Sequence, residues 1–418
     1  MTGQEKCQEK CQEKCQEKWL SVIGIGDDGL MGLTAVARSL LDQAQVIVGG
    51  RRHLGFLGDH DPRETLAWTS PLQTTLNAIQ ERRGQRVCVL ATGDPMWYGI
   101  GATLARQIPL REMTIIPAPS AFSLACSRLG WPLTDVETLS LCGRDPALLH
   151  RYLYPGLRLL VLSGDRHTPA QVAQKLTESG FAESQMTVLE RLGGPQERLI
   201  QGQAATWSPG ESPGELADLN TIAIDCRGQS GHHRMAGLPD EAYHHDGQLT
   251  KREVRCVTLS SLAPQPGQRL WDVGAGCGSI SIEWLRSDRR CQAIAIEQHP
   301  QRLRYLADNA AALGVPQLEI ISGQAPAALQ DLPEPNTIFI GGGLTTPNLL
   351  ETCWQALPSG GRLVANAVTV ESEQRLFQAQ QEWGGALTRI AIQRAKPLGR
   401  FLSWTALAPV TQWSVLKA

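Results

Sequence analysis

Three glycines in the stretch "LWDVGAGCGSISIEW" have a spacing that could hold a cofactor through backbone amides. Gly274, Gly276 and Gly278 follow an apolar run and precede a helical pattern, and glycine allows a backbone to approach a ligand closely. A dinucleotide fingerprint, GxGxxG, would need its third glycine where Ser279 stands. Asp272 before the turn and the helix N-terminus after it suit a cationic cofactor that carries an amino acid. S-adenosylmethionine (SAM) is such a cofactor, although the loop alone could also be a tight turn.

Two later positions favour the SAM interpretation. Glu297 ends the next predicted strand, where its carboxylate can accept hydrogen bonds from both ribose hydroxyls, a feature shared with NAD enzymes. After the third predicted strand, Gln324 in "ISGQAP" could meet the adenine edge. Cys277 lies inside the glycine loop, and small-residue packing explains it better than a role as nucleophile. These features in order predict a SAM site in the second half of the chain.

A second set of glycines punctuates the first half of the chain. Gly24 and Gly26 end its first predicted strand, and Gly93, Asp94 and Pro95 end another. Because ligands of parallel α/β sheets bind beyond the carboxyl ends of the strands, these five residues predict one cleft.

The cysteines do not form a convincing metal site. Three of the eleven, Cys7, Cys11 and Cys15, repeat in "QEKCQEKCQEKCQEK", but no fourth ligand is near. Residues 1–18 are therefore interpreted as a low-complexity, disordered tail. The other cysteines are scattered without a CxxC pair, which is typical of reduced thiols in the cytosol.

Paired histidines occupy the glycine-rich stretch near the middle of the chain. They are His232, His233, His244 and His245. Histidines in such a stretch are more often exposed and unliganded than bound to a metal, so we predict no metal site.

The elements that must position these residues follow from hydrophobic periodicity. Short apolar runs alternate with helical segments in residues 19–226, which indicates an α/β domain with a largely parallel sheet. The pattern breaks in a join at 227–236, and a second alternation fills 237–418. The last two predicted strands, 387–394 and 401–408, could form an antiparallel pair. Five alternating strands plus such a pair match the Rossmann-like, seven-stranded sheet of class I SAM-dependent methyltransferases.

Composition and charge limit the function further. A chain of 418 residues, 42% hydrophobic and 19% charged, is long enough for two or three cored domains. Its longest apolar runs, such as "LRLLVLSG", fall short of the ~18 residues needed to cross a bilayer, and its polar N-terminus is unlike a signal peptide. A formal net charge of −2 argues against a general nucleic-acid binder. We therefore expect a cytoplasmic protein that binds neither membranes nor nucleic acids.

Longer motifs resemble two families of methyltransferases. In the second half, "GLPDEAYHHDGQLTKREVRCVTLSSL", the glycine loop, "AIEQHPQRLRYLADNAAALGV" and "GGRLVANAVTVES" resemble the decarboxylating corrin methyltransferase domain of vitamin B12 biosynthesis. In the first half, "VIGIGDDG", "GDPMWYGIGATL", "IIPAPSAFSLACSRLGWP" and "LERLGGPQERL" resemble the tetrapyrrole methylases of the same pathway. The resemblance covers essentially everything from Trp19 to the C-terminus. Two independent motif sets that point to consecutive chemistry on one substrate are more specific than either set alone.

The resemblance implies two SAM sites, one per domain. The tetrapyrrole methylases have two α/β subdomains with the cofactor in the cleft between them, and by matching position Gly24, Gly26 and the loop Gly93–Pro95 line that cleft. In the second domain the matching positions are Thr250, Gly274, Ala275, Gly276, Cys277, Gly278, Glu297, Gln324 and Ala325.

Two positions depart from the family patterns. Where the tetrapyrrole methylases usually have a proline after the first GxG, this chain has Asp27 and Asp28. Where the other family usually has an aspartate before Ala-Pro, it has Gln324, whose amide can still hydrogen-bond adenine. The acidic pair has more consequence for cofactor binding.

The resemblance also implies methylation of the macrocycle at carbons 5 and 15, with loss of CO2 from the acetate at carbon 12. The conjugated ring can act as the electron sink, so no triad, metal or activated cysteine is required, and catalytic residues stay unassigned. The anionic tetrapyrrole should meet protein cations, because such groups pair with carboxylates. The candidates are Arg51, Arg52, Arg128, Arg144, Arg166, Lys251, Arg252 and Arg255. His244, His245 or Lys251 could neutralise the departing acetate.

Two alternatives stay open. A class I methyltransferase could act on tRNA, although such an enzyme would normally add a basic surface or an RNA-binding module. One half could instead be catalytic while the other is a tetrapyrrole-binding scaffold, which the pair Asp27 and Asp28 supports. We expect a homo-oligomer of unspecified size, and the sequence does not distinguish a metal-free from a cobalt-containing substrate.

Overall fold

The computed structural model describes residues 18–58, 60–207, 214–229 and 231–418. The cysteine repeat of the predicted tail lies outside these residues. No helix within them is both long enough and apolar enough to span a lipid bilayer.

The described chain forms two compact units. Unit 1 consists of the described residues up to Arg144 and of Gly156–Arg227, and unit 2 consists of Asp145–Pro155 and Gly228–Ala418. The chain therefore enters unit 2 briefly, returns to unit 1 and then leaves it again. The sequence prediction has a single join at 227–236 and no such excursion.

Unit 1 begins with a five-stranded parallel sheet in the order β3-β2-β4-β1-β5. Its strands are β1 Leu20–Ile25, β2 Val46–Gly49, β3 Glu64–Ala67, β4 Val87–Thr92 and β5 Met113–Ile116. The helices between and after them are α1 Ala35–Asp42, α2 Arg51–Leu54, α3 Leu72–Glu81, α4 Ile100–Leu104 and α5 Ala121–Leu129. Both faces of β1 are buried, because Leu20 and Val22 pack into one core and Ile23 and Ile25 into another. This explains the continuous apolar run from which the strand is predicted.

The second sheet of unit 1 has the order β6-β7-β10-β8-β9. Its elements are β6 Glu137–Ser140, β7 Arg158–Leu162, α6 Thr168–Glu178, β8 Gln185–Glu190, β9 Arg198–Gln203 and β10 Asn220–Asp225. Only β6 and β7 pair in parallel; β10 runs antiparallel to both of its neighbours, and β8 and β9 are antiparallel. The predicted parallel character therefore holds for the first sheet, whereas the second is mostly antiparallel because β10 inserts between β7 and β8.

Unit 2 contains a seven-stranded sheet in the order β13-β12-β11-β14-β15-β19-β16. Its strands are β11 Arg269–Val273, β12 Gln292–Glu297, β13 Glu319–Ser322, β14 Thr337–Ile340, β15 Arg362–Ala367, β16 Ala386–Ile390 and β19 Val410–Leu416. Its α-helices are α7 Arg252–Leu262, α8 Ser279–Ser287, α9 Pro300–Ala312, α10 Leu349–Ala356 and α11 Val370–Trp383. The first five strands of that order are parallel, and β19 runs antiparallel to both β15 and β16.

The predicted antiparallel pairing of 387–394 with 401–408 is present only at one end: Gln393 and Arg394 pair with Ala406 and Thr405, whereas 387–390 pair with β19. A separate antiparallel hairpin of β17 Gln393–Leu398 and β18 Phe401–Ala406 lies between the two strands that complete the sheet. Trp413 of β19 is fully buried in the core of unit 2, whereas the residues of β18 are exposed. Burial therefore selects β19 as the partner of β16.

The excursion Asp145–Pro155 is packed into unit 2. It contains a 3-10 helix, Pro146–Tyr152, which contacts α9. The Arg151 side chain donates to the backbone oxygen of Arg286 at 3.2 Å, and a side chain at Gly314 would collide with the Arg151 backbone. The segment is thus part of this fold.

Candidate functional site

A cavity of about 600 Å³ opens in unit 2 at the carboxyl ends of the parallel strands. Val273 ends β11, Glu297 ends β12 and Gly341 follows β14, and all three line the cavity. The loops that follow parallel strands converge at one edge of a sheet, which places sequence-distant residues side by side. The volume falls within the range of about 300–1,000 Å³ typical of small-molecule sites.

The three loop glycines meet three different requirements. All have positive φ: +70° at Gly274, +60° at Gly276 and +82° at Gly278. A Cβ at Gly274 would lie 2.9 Å from the backbone nitrogen of Gly342, so two backbones cross there. A Cβ at Gly278 would lie 2.9 Å from Leu306, and this glycine does not line the cavity. Gly276 faces the cavity with open space around it.

The carboxylate of Glu297 is engaged by the backbone around the loop. Its Oε2 accepts the N–H of Gly276 at 2.8 Å, and its Oε1 accepts the N–H groups of Gln298 at 2.9 Å and His299 at 2.8 Å. Since a carboxylate offers about four acceptor positions, roughly one remains for a ligand hydroxyl. The expectation that Glu297 accepts from both ribose hydroxyls stays a prediction, and this count favours one of the two.

Asp272 lies in β11 just before the loop and is almost completely buried. Its Oδ2 accepts the N–H of Ser281 at 3.0 Å, whereas Oδ1 has no hydrogen-bond partner among the described residues. Burial, followed by the charge of Glu297, raises the pKa of Asp272 to about 7. A ligand cation near Oδ1 would stabilise the charged carboxylate.

The other predicted residues of unit 2 meet at the same cavity. Thr250, Ala275, Cys277, Gln324 and Ala325 all line it. Burial raises the pKa of the Cys277 thiol to about 11, so it stays protonated at neutral pH. The side chain of Gln324 has no hydrogen-bond partner within the described part of the chain, which leaves its amide available to a ligand.

These residues fit SAM. The Gly274 turn closes against Gly342 with no space for a side chain, the Oδ1 of Asp272 lacks a partner among the described residues, and the amide of Gln324 is available. On the cavity wall, Glu297 offers an acceptor for a ribose hydroxyl and Gln324 a partner for adenine, whereas Asp272 is buried next to the loop and does not line the cavity.

In unit 1 the predicted glycines form a tight junction. A side chain at Gly24 would collide with the Gly93 oxygen and the Ala118 nitrogen, and Gly93 has a φ of +59°. Gly93 donates its N–H to the Ile25 oxygen at 3.0 Å, which joins the ends of β1 and β4. The predicted residues therefore do meet at the carboxyl ends of adjacent strands.

Two hollows lie at this edge of unit 1, and they differ greatly in size. A hollow of about 40 Å³ is lined by Gly26 and Gly93 and holds about one water molecule, not a nucleoside. A cleft of about 630 Å³ lies beside it, lined mainly by charged residues. Gly24, Asp94 and Pro95 line neither. The larger cleft has the volume for a cofactor, but the predicted glycines do not reach it.

The two hollows share the ion pair of Asp27 with Arg52, whose atoms are 2.5 Å apart. Arg52 also donates to Thr92 at 3.2 Å, and His53 is buried beside it. Burial and the Arg52 charge lower the pKa of His53 to about 4, so this ring is neutral. The acidic departure noted in the sequence thus forms part of an ordered network between the hollows.

Four of the eight candidate substrate-binding cations are paired with acidic side chains. The pairs are Arg52 with Asp27, Arg128 with Glu197, Arg166 with Asp218 and Arg255 with Glu283. Arg255 is also fully buried, so its predicted contact with substrate is wrong. It has a structural role, because it donates to the Thr250 oxygen at 2.5 Å and fixes the backbone beside the cavity.

The other four candidates occupy different surroundings. Lys251 lines the unit 2 cavity, and the guanidinium of Arg144 lies 5.3 Å from the ring centre of Tyr98. Arg51 and Arg252 are exposed and line neither the unit 2 cavity nor the unit 1 hollows.

The four histidines do not line the cavity. The backbone of His244 donates to Asn309 at 2.8 Å, and the Nδ1 of His245 accepts the N–H of Gly247 at 2.9 Å. Within the described ranges, no group of three or more His, Cys, Asp or Glu side chains is arranged to hold a metal.

Sequence reasoning missed one wall of the cavity. Val368 follows β15, and Ile392, Leu407, Ala408 and Val410 lie at the base of the hairpin. The sequence gives little indication of this wall, because isolated apolar residues between strands show neither the helical nor the strand periodicity.

Comparison with known proteins gives consistent matches. Residues 20–207 match the family model described as tetrapyrrole (corrin/porphyrin) methylases, and residues 241–417 match the model described as the precorrin methyltransferase domain. Over 402 residues the chain is 46% identical to precorrin-6Y C(5,15)-methyltransferase [decarboxylating] from Sinorhizobium sp, with 96% of each chain covered.

Two shorter relatives each match part of the chain. A probable cobalt-precorrin-6B C(15)-methyltransferase (decarboxylating) from Pyrobaculum calidifontis is 35% identical over 181 residues, 42% of this chain and 92% of that protein. The cobalt-precorrin-7 C(5)-methyltransferase of Salmonella typhimurium is 29% identical over 206 residues, 49% of this chain and 98% of that protein.

Proposed function

The chain belongs to the family of precorrin-6Y C(5,15)-methyltransferases (decarboxylating), and from this premise we propose that it methylates precorrin-6B or its cobalt form at carbons 5 and 15. The carbon 12 acetate leaves as CO2, and the product is precorrin-8 or its cobalt form. The observation that carries the proposal is the unit 2 cavity. Gly276, Glu297, Gln324 and Lys251 all line it. The macrocycle is an anionic substrate, and nucleic acid is not one.

One domain serves each methylation in this proposal. Residues 19–226 form the tetrapyrrole methylase domain, 227–236 the join, and 237–418 a class I methyltransferase domain, which we assign to carbon 15 and the decarboxylation. The strand order of unit 2, with a single antiparallel strand before its last edge strand, supports the class I assignment. The separate C(15) and C(5) relatives, each matching less than half of the chain, support one reaction per domain.

SAM is the methyl donor of this proposal, with one site per domain. When bound it supplies a methyl group on a sulfonium, whose sulfur is the leaving group. In unit 2 the residues that would hold it are Gly276, Glu297 and Gln324, with Asp272 as counter-charge. In unit 1 the resemblance assigns the site to Gly24, Gly26 and the loop Gly93–Pro95; the hollow beside Gly26 and Gly93 is too small for a nucleoside, so this second site rests on the resemblance alone.

The protein has to orient the substrate and the cofactor, shield the reacting atoms from water and balance their charges. The meso carbons are already nucleophilic, so no side chain has to remove a proton from a heteroatom, and Cys277 stays protonated. The apolar cavity wall would help to keep water from the reacting atoms, which strengthens electrostatic contacts there. In this proposal the main task of the chain is to align the carbon with the methyl group and its sulfur.

A second candidate function is favoured by one observation. The hollow beside Gly26 and Gly93 is about 40 Å³, and the ion pair of Asp27 with Arg52 lies at its edge. These features support a chain in which only the second domain transfers methyl groups and the first binds the tetrapyrrole as a scaffold.

A homo-oligomer in the cytoplasm completes the proposal. The hairpin of β17 and β18 exposes Leu398, Phe401, Leu402 and Trp404. By the strand register, Leu402 and Trp404 share one face of the hairpin, and Leu398 and Phe401 share the other. Exposed apolar side chains of this kind support an interface with further copies of the chain.

Mass spectrometry of products tests the proposed function. Purified protein is incubated with SAM and precorrin-6B, with or without cobalt. We expect a product with two added methyl groups and one CO2 lost. One added methyl group together with CO2 loss would favour the scaffold alternative, and no mass change with either substrate form would contradict both.

A further inference from the structure

Lys251 stands out among the cations of the unit 2 cavity because no carboxylate within the described residues pairs with it. Its Nζ makes one weak hydrogen bond, to the Gly247 oxygen at 3.4 Å. The other cation on the wall, Arg302, is paired with Asp246 at 2.8 Å and with Gln248 at 2.8 Å. The ammonium of Lys251 is therefore the positive charge in the cavity that can pair with an anionic group of a ligand.

The anions of the protein do not compete for this ammonium. Glu297 is the acidic residue on the cavity wall, and three backbone N–H groups already surround its carboxylate. The residues that line the hairpin side of the cavity are apolar: Val368, Ile392, Leu407, Ala408 and Val410. A ligand that combines a flat apolar body with a carboxylate matches this combination of surfaces.

Ion pairs fix Lys251 and the apolar wall relative to each other. Lys251 directly precedes α7, and Arg394 in β17 bonds Glu253 of α7 at 2.6 Å and Asp240 at 3.0 Å. Arg255 holds the backbone one residue earlier, at Thr250. These ion pairs connect the hairpin base to the start of α7, and we regard Arg394 as a positioning residue.

We propose that Lys251 binds the carboxylate of the acetate that leaves as CO2, while the apolar wall at the hairpin base receives the pyrrole ring that bears it. This assignment rests on the proposed function. The bond between the acetate methylene and the carboxylate carbon breaks, and its electron pair enters the conjugated macrocycle. The methylene carbon then takes a proton from water and becomes a methyl group. Lys251 directs the carboxylate and neutralises its charge until the bond breaks.

Three variants of the full chain test the assignment. Lys251→Met removes the ammonium, Lys251→Arg keeps a cation, and Arg304→Met removes an exposed positive charge of α9 outside the cavity. Three quantities are measured for each: SAM affinity by calorimetry, precorrin affinity from the absorbance of the macrocycle, and CO2 released per methyl group transferred.

We expect Lys251→Met to weaken precorrin binding about 10- to 100-fold, the value of a charge-assisted hydrogen bond, and to lower the ratio of CO2 to methyl groups. Lys251→Arg should retain most of the affinity, Arg304→Met should behave as the parent protein, and SAM affinity should stay within about twofold in all three, which also reports an intact fold.

Unchanged precorrin affinity and an unchanged CO2 ratio in Lys251→Met, with an active parent protein, would overturn the assignment and leave the proposed function intact. A parent protein that binds SAM but modifies no precorrin would contradict the proposed function itself.

Discussion

Asp272 couples the unit 2 site to pH. Its folded pKa of about 7 lies above the value of an unfolded aspartate, so the folded state holds its proton more tightly. The sign follows: this group favours the folded state fully below pH about 4, and that contribution is lost as pH rises through about 7. At pH 8 the buried charge costs on the order of 4 kcal/mol.

We therefore expect Asp272→Asn to raise the free energy of unfolding, by up to about 4 kcal/mol at pH 8 and by less at pH 5. The same change should weaken SAM binding and abolish its rise between pH about 6 and 7.5, because only the ionised carboxylate attracts a ligand cation. Denaturant titrations and calorimetry over the same pH range measure both effects. Parallel pH curves for the two proteins would show that Asp272 does not titrate in this range.

Gly274 offers a sharper test of the loop. Alanine there would be strained by the positive φ and would place a Cβ 2.9 Å from the Gly342 nitrogen. Gly360→Ala is the matched control, since φ is +77° and no atom lies within 4 Å. Each change should cost about 1 kcal/mol from backbone strain, and Gly274→Ala should lose in addition at least tenfold in SAM affinity. Equal SAM affinity in the two variants would argue that the loop does not hold the cofactor.

For single residues, the sequence motifs predict which side chains lie near the cavity but not the role of each. Gly276, Glu297 and Gln324 reach one cavity, as their positions at strand ends require. The role of Gly278 against Leu306 could not be predicted, because that contact depends on how α9 packs. In the sequence Arg255 resembles a surface cation. Only the folded structure shows that its side chain is buried and paired with Glu283.

The hairpin of β17 and β18 exposes large apolar side chains that an interface would bury. Leu402 is 72% exposed and Trp404 71% exposed on β18. We expect Leu402→Asp combined with Trp404→Glu to shift the protein to a smaller species in size-exclusion chromatography with light scattering, because burying an unpaired charge at an interface is costly. Val36→Glu, at an exposed position of α1, is the control and should leave the mass unchanged. A monomeric parent protein would contradict the homo-oligomer proposal.

Elements were predictable where both sheet faces bury their residues. Continuous apolar runs identify β1, β7 and β12 within two residues and β4 within three. Strands β3 and β9 were missed, because they lie at sheet edges with mostly exposed side chains that leave no apolar pattern. Strands β6 and β10 were missed as well, although most residues of β10 are buried. The antiparallel position of β10 was also beyond prediction, since pairing between distant strands is not encoded locally.

For the whole molecule, the count of cofactors decides between the two candidate functions. We expect calorimetry to give two SAM per chain, and one per chain in Gly274→Ala. Gly93→Ala, at φ +59° with a Cβ 3.2 Å from the Pro119 oxygen, should lose the other site. The parent chain is measured first. A single SAM per parent chain, retained in Gly93→Ala, would favour the first domain as a scaffold.

The excursion Asp145–Pro155 affects the order in which the chain can fold during synthesis. These residues leave the ribosome before most of unit 2 exists, and at roughly 5–20 residues per second the rest of the chain needs tens of seconds. Until then Leu149 and Leu153, buried in the finished fold, have no core to enter. Unit 1 must therefore mature around an unfinished loop, and a chain released early would carry that apolar loop into the cell uncovered.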